Sequence, residues 1–167
     1  MCYQLRVYNL SKKARDDVVN DLARFESWKP VKFENLKIAE TDDPLISIVF
    51  DMEHKFFLGK KNSSDYFPLL KDEQILPLLP VAKVDSGAVK FVCNGANIMR
   101  PGIIAISGDF DKSGLLLVRE EKYDKGIAVG KAMVGSHEMR NMVKGQAAEN
   151  LHYVGDKFWE ALKELEK

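Results

Sequence analysis

The chain has 167 residues with 25 Lys and Arg against 25 Asp and Glu, so its formal charge at neutral pH is zero. That balance excludes a protein that coats duplex nucleic acid through bulk electrostatics, which needs many uncompensated cations along one face. Hydrophobic residues make up 46% and charged residues 30%, the composition of a folded protein; no apolar run approaches the roughly 20 residues of a membrane span, and Met1-Cys2-Tyr3-Gln4 opens no signal peptide, so a soluble cytoplasmic chain is expected.

Tyr3, Leu5 and Val7 alternate as a strand, and Ser11 then offers an N-cap for an amphipathic helix with Ala14, Val18, Leu22 and Phe25 on one face, ending near Trp28 before Pro30. Short apolar or alternating runs follow at 31–38, 45–50 and 55–58, with Asp51-Met52-Glu53-His54 as a hairpin connection. Phe56, Phe57, Tyr66 and Phe67 read as core or packing aromatics in preference to an RNA-stacking group. Pro77 and Pro80 suit a connector. Backbone chemistry changes there: of 11 glycines only Gly59 precedes residue 85, and the rest run from Gly87 to Gly155. Charge does not change, with 12 basic and 13 acidic residues in 1–80 and 13 basic and 12 acidic in 81–167. The expectation is an α+β protein of two domains, 1–80 and 81–167.

The second part opens with a two-turn helix over 87–94, capped by Asp85 or Ser86 and ended by a left-handed Gly95, with Ala88, Phe91 and Val92 facing inward. Strands are expected at 97–107, 115–121 and 126–134, with turns at 108–114 and 122–125, a spacing that suggests a small barrel. Asp156 caps a final helix with Phe158, Leu162 and Leu165 at helical spacing and Trp159 packed against the barrel.

Asp109-Phe110-Asp111-Lys112-Ser113-Gly114, followed by Glu120, comes close to a calcium loop. Such loops sit between helices, and this one has β-like flanks, so it reads as a β-turn. Cys2 and Cys93 lack Cys-x-x-Cys spacing, and His54, His137 and His152 are scattered, so no metal or cofactor is expected. Cys93 reads as a small hydrophobe, and Glu120 and Glu121 would point to opposite faces of a strand. With no nucleophile elbow or phosphate-binding loop, the sequence favours binding over catalysis.

The run Val84-Asp85-Ser86-Gly87-Ala88-Val89-Lys90-Phe91-Val92, then Cys93-Asn94-Gly95-Ala96-Asn97-Ile98-Met99-Arg100-Pro101-Gly102-Ile103, resembles the opening of a PUA domain, an RNA-binding module. Ile127-Ala128-Val129-Gly130, Lys144-Gly145-Gln146-Ala147, Glu149 to Tyr153 and Asp156 to Trp159 fit the same module in order. With Tyr66-Phe67-Pro68-Leu69-Leu70 ahead of the join, the whole chain resembles the malignant T-cell amplified sequence family and its archaeal single-chain relatives. The resemblance implies a PUA-type pseudo-barrel with short helices behind a small α+β domain. It also implies a non-catalytic translation factor that meets a tRNA acceptor end or rRNA on the small ribosomal subunit, with a density-regulated-protein partner. Gly95 lets a sugar–phosphate backbone approach closely, the amides around Ala96 and Asn97 can donate to it, and Asn94 flanks them. Lys90, Arg100, Lys131 and Lys144 are the candidate phosphate contacts. The alternatives are an RNA-modification accessory that delivers RNA to a separate enzyme, and a protein-interaction adaptor with an idle groove.

Overall fold

The computed structural model describes residues 4–28, 33–62 and 65–167, and the chain divides into two units, one reaching to Leu78 and taking in Glu160–Lys167, the other spanning Leu79–Trp159. In the first unit Ser11 caps α1 (Lys12–Asp21), its Oγ accepting from the Ala14 N–H at 3.1 Å. A straight helix running on from Leu22 would put Trp28 about 120° away around the axis. Both side chains are buried in one core. The helix therefore gives way to a single 3₁₀ turn at Leu22–Arg24, short of the expected end.

Strands β1 (Arg6–Asn9), β2 (Lys37–Glu40), β3 (Ile46–Asp51), β4 (Phe56–Lys61) and β5 (Phe67–Pro68) form one antiparallel sheet in sequential order. Two strands start later than the sequence suggests. β1 is an edge strand exposed along its length, so no inward alternation marks its start. Ahead of β2, Phe33 and Leu36 drop into the core without forming strand. Tyr3 and Val31, from which these strands were expected to begin, lie outside the described residues. The Asp51 carboxylate ties the β3–β4 hairpin by accepting from the His54 N–H at 3.2 Å. Phe33 and Phe56 lie tilted against each other with centroids 4.5 Å apart in the core shared with Val18 of α1, and each stacks on Trp28 at 6.3 Å. Phe56, Phe57 and Phe67 are buried and Tyr66 is half-buried, so these aromatics are packing groups.

The second unit holds β6 (Val81–Val84), α2 (Val89–Val92), β7 (Ile98–Met99), β8 (Ile103–Ser107), β9 (Leu115–Glu120), β10 (Gly126–Ala132), α3 (Ser136–Asn141) and β11 (Gln146–Tyr153), then the start of α4 (Lys157–Leu165). Its curled sheet runs β7-β11-β10-β9-β6-β8, antiparallel except for the β6–β9 pair. Val84, Val92, Ile98, Leu116, Val118 and Met139 meet in its core. The expected 97–107 strand is broken by a 3₁₀ turn at Arg100–Gly102, because Pro101 has no N–H for a ladder and suits the start of a helical turn. The expected two-turn helix at 87–94 contracts to one α-helical turn flanked by hydrogen-bonded turns. Asp156 caps α4, its Oδ1 accepting from the Trp159 N–H at 2.8 Å and its Oδ2 from the Tyr153 N–H at 3.0 Å. His152 is fully buried, with Nδ1 2.9 Å from Asp156. The calcium-like loop is a turn: Gly114 N–H donates to Asp111 O at 3.0 Å, Asp109 pairs with Arg140 at 3.2 Å, and Glu120 serves a different turn. No helix among the described residues is long and apolar enough to cross a membrane.

One buried carboxylate fixes the segment after β5. Asp72, 2% exposed, accepts from the N–H groups of Phe57 at 2.9 Å, Ile75 at 2.6 Å and Leu76 at 2.9 Å. Burial pushes its carboxyl up to about 6 against the pull of those hydrogen bonds. Because the folded value is raised, the native state holds the proton more tightly, and stability linked to Asp72 is greatest below about pH 4 and is lost as pH rises to about 6. Urea unfolding of Asp72→Asn across this range should lack that downward component. Asp72→Ala strands several buried donors and should cost at least about 2 kcal/mol at neutral pH.

Candidate nucleic-acid interface

The turn that carries the candidate residues is built from both ends of α2. At its start Asp85 Oδ1 accepts from the Ala88 N–H at 2.8 Å, while Asp85 N–H donates to Gly102 O at 3.0 Å. At its end Ala96 N–H donates to Phe91 O at 3.0 Å and Gly95 N–H to Val92 O at 3.1 Å, the paired bonds of a Schellman cap. Gly95 sits at φ +92°, and a Cβ there would lie 3.1 Å from Tyr153 Oη. Glycine is thus required twice, by backbone conformation and by the tyrosine packed against the turn.

Asn150 on β11 locks this turn to the sheet. Its Nδ2 donates to Val92 O and Ala96 O, both at 3.0 Å, and its backbone N–H donates to Asn97 Oδ1 at 3.0 Å. Asn150 and Tyr153 belong to the Glu149–Tyr153 motif, which by itself assigns neither a role. Nor is a strand expected there, since Ala147-Ala148-Glu149-Asn150 has low β propensity.

Between α2, β7 and the 3₁₀ turn lies a groove of about 230 Å³ with almost wholly apolar walls, among them Ala88, Phe91, Ala96, Asn97 and Met99. Phe91, expected to face inward, is 58% exposed, and Met99 is 49% exposed. The reason is length: one helical turn has room to bury Val92 but not its neighbour as well. Lys90 Nζ lies 5.0 Å from the Phe91 ring centroid, so cation and ring occupy the same side of the turn.

The candidate residues separate into those at the turn, those committed to the fold and those elsewhere on the sheet. Asn94, Gly95, Ala96 and Asn97 form the turn and are exposed, as is Lys90. The Ala96 amide, expected to face a ligand, is taken by the Schellman bond, and the Asn97 N–H makes no hydrogen bond among the described residues. Arg100 is committed to the fold: its Nε donates to Met139 O at 2.7 Å and its Nη1 to Ile103 O at 2.9 Å. It holds α3 and the 3₁₀ turn together through these two donors. Lys144 is exposed beside Gly145, whose carbonyl accepts from the Arg100 N–H at 2.8 Å. Lys131 is exposed on β10 in register with Glu149, an opposite charge that offsets it.

A family model for the PUA domain matches residues 80–154. An uncharacterised protein of Methanocaldococcus jannaschii is 39% identical over 158 residues, covering 91% of this chain and 94% of that one. Translation machinery-associated protein 20 of Saccharomyces cerevisiae is 28% identical, over 86% of this chain and 78% of its own. Malignant T-cell-amplified sequence 1-B of Xenopus laevis is 26% identical, over 95% and 90%. The chain belongs to one family with that archaeal protein and carries a PUA domain, and it is similar to the malignant T-cell-amplified sequence proteins. A PUA-domain crystal structure from Aeropyrum pernix shares its fold, with a TM-score of 0.80 at 24% identity over 99% of this chain and 95% of that one.

Within this PUA domain Cys93 is half-buried and burial pushes its thiol above the ordinary value, so it stays protonated and unreactive. Outside it, Asp51, Glu53 and His54 have ligand atoms within 4.8 Å of one another, but Asp51 is already engaged by His54 through both its N–H and its Nδ1, the latter at 3.0 Å. Removing the Asn150 amide should loosen the PUA turn specifically. Asn150→Ala is expected to cost about 1–3 kcal/mol in denaturant unfolding. It should also speed hydrogen exchange at Gly95 and Ala96 more than at β9 and β10, and equal protection at the turn would refute the lock.

Proposed function

We propose that the chain is a non-catalytic, RNA-binding translation factor whose groove beside Gly95 receives the unpaired 3′ end of a tRNA acceptor stem on the small ribosomal subunit. The observation that carries this reading is the groove itself: apolar, preformed, about 230 Å³, and flanked by an exposed Phe91 ring with Lys90 over it. A nucleobase offers a flat apolar face for such walls, and a single-stranded end offers it without the cost of unpairing. The membership in a family whose relatives bear the names translation machinery-associated protein and malignant T-cell-amplified sequence supports the translation setting. A density-regulated-protein-like partner belongs to the same reading.

Charge sets the mode of recognition. With equal numbers of acidic and basic residues overall, Arg100 committed to carbonyls and Lys131 facing Glu149, only Lys90 and Lys144 remain for phosphates among the named cations. These two phosphate contacts contribute about −1.4 to the log–log salt slope on a single strand, far less than the many contacts of a duplex-coating protein. Filter binding at stepped salt should therefore show a shallow slope, and at least about tenfold weaker binding to tRNA lacking its 3′-terminal nucleotides. Gly95→Val should weaken intact tRNA to a similar degree, because its side chain meets Tyr153 and strains the turn. Equal affinity for intact and trimmed tRNA would overturn end recognition.

A further inference from the structure

The turn between β9 and β10 presents the most exposed large apolar side chain but one among the described residues, and the most exposed aromatic: Tyr123 is 76% exposed, against 58% for Phe91. A ring left this far in water adds little to folding stability. The backbone beneath it is nonetheless held firmly. The Glu120 carboxylate accepts from the N–H groups of Lys122 at 2.6 Å, Tyr123 at 2.9 Å and Lys125 at 3.1 Å, and Glu120 N–H donates to Lys125 O at 3.0 Å. Desolvation works against its charge, but the three N–H groups prevail and hold Glu120 below the usual carboxylate value. The cradle is therefore ionised and complete at neutral pH.

The other acids of the turn are also engaged. Asp124, at φ +53°, pairs with Lys83 at 3.2 Å and Arg119 at 3.3 Å. Glu121 Oε1 accepts from the Ser86 N–H at 2.9 Å and its Oγ at 3.0 Å, which ties this turn to the segment that starts α2. Lys122 and Lys125 are exposed and make no ion pair among the described residues, and Lys122 Nζ lies 5.2 Å from the Tyr123 centroid. The result is a lone aromatic face on a fixed backbone, with an unpaired cation on each side in sequence.

That chemistry favours a nucleotide over a protein. The core of a protein interface is depleted in charge, and here the exposed residues around the ring are charged, so no apolar patch surrounds it. An unpaired base needs only a π-face, and its flanking phosphates match the two lysines. A backbone already fixed loses little entropy on binding. We propose that Tyr123, with Lys122 and Lys125, is a second RNA contact of the PUA unit that stacks one unpaired nucleotide outside the groove. This deepens the proposed function and rests on its claim that the chain binds RNA.

The test uses the full chain and a 5′-fluorescein-labelled, mixed-sequence 12-nucleotide single-stranded RNA, read by anisotropy. Tyr123→Ala should weaken binding by about 5- to 150-fold, the range of one lost stacking contact, and Tyr123→Phe should stay within about twofold of wild type. Lys122→Ala and Lys125→Ala should each reduce the salt slope by about 0.7. Because the ring is exposed, melting curves of all these variants should superimpose on wild type. If Tyr123→Ala binds like wild type while Gly95→Val is weakened, the platform is overturned and the groove stands. If wild type does not bind this RNA or tRNA, both readings fall. A Tyr123→Phe as weak as Tyr123→Ala rules out stacking. Loss of a protein partner with RNA affinity intact would assign the surface to protein and overturn the proposal.

Discussion

The side chain of Asn150 is the constraint on which the candidate interface depends. A helix of one turn has no independent stability in water, since nucleation costs more than its few hydrogen bonds return. α2 persists because Asn150 gathers Val92 O and Ala96 O from its C-terminal end and fixes Asn97 through the β11 backbone. Asn150 lies in register with Gly130, where β10 and β11 shift by a bulge, and a Cβ on Gly130 would come within 3.2 Å of Glu149 O. The bulge, the glycine and the asparagine are one device. They set where α2 ends, and that in turn sets how far Phe91 and Met99 stand out from the sheet.

Much of this was legible in the sequence where a residue acts on its near neighbours. Ser11 and Asp156 announce helix starts because an N-cap satisfies amides two or three residues away, and Gly95 announces a helix end because few other residues tolerate its φ; Asp85 holds the turn just ahead of α2 instead. The Asp109–Gly114 turn could be separated from a calcium loop by its flanks alone. Residues that act across the fold were not legible. Arg100 looks like a free cation until α3 supplies Met139 O, and Asn150 looks like an ordinary polar residue until the α2 turn folds onto it. The first half of β11, Gln146–Asn150, has no β-branched or aromatic residue to mark a strand, so tertiary packing and not propensity holds it.

Acidic side chains are used throughout as backbone acceptors. Asp51, Asp72, Asp85, Glu120 and Asp156 each receive at least one main-chain N–H within three to fifteen residues in sequence, and Asp72 and Glu120 receive three each. The neutral formal charge is thus unevenly presented. At long range the two signs cancel, so no field draws in nucleic acid from a distance. At contact distance several carboxylates are turned into the chain, while Lys90, Lys122, Lys125 and Lys144 face outward.

The Schellman cap beneath Gly95 also bears on time. Its two bonds and the Asn150 amide are complete without a ligand, so no loop has to order before a base enters. Association therefore carries no conformational delay, and departure has no closed lid to reopen. The cleft is one base in size, which limits the contact that could slow release. In the role proposed, a groove of this kind would exchange its base quickly, as suits a factor that visits successive complexes.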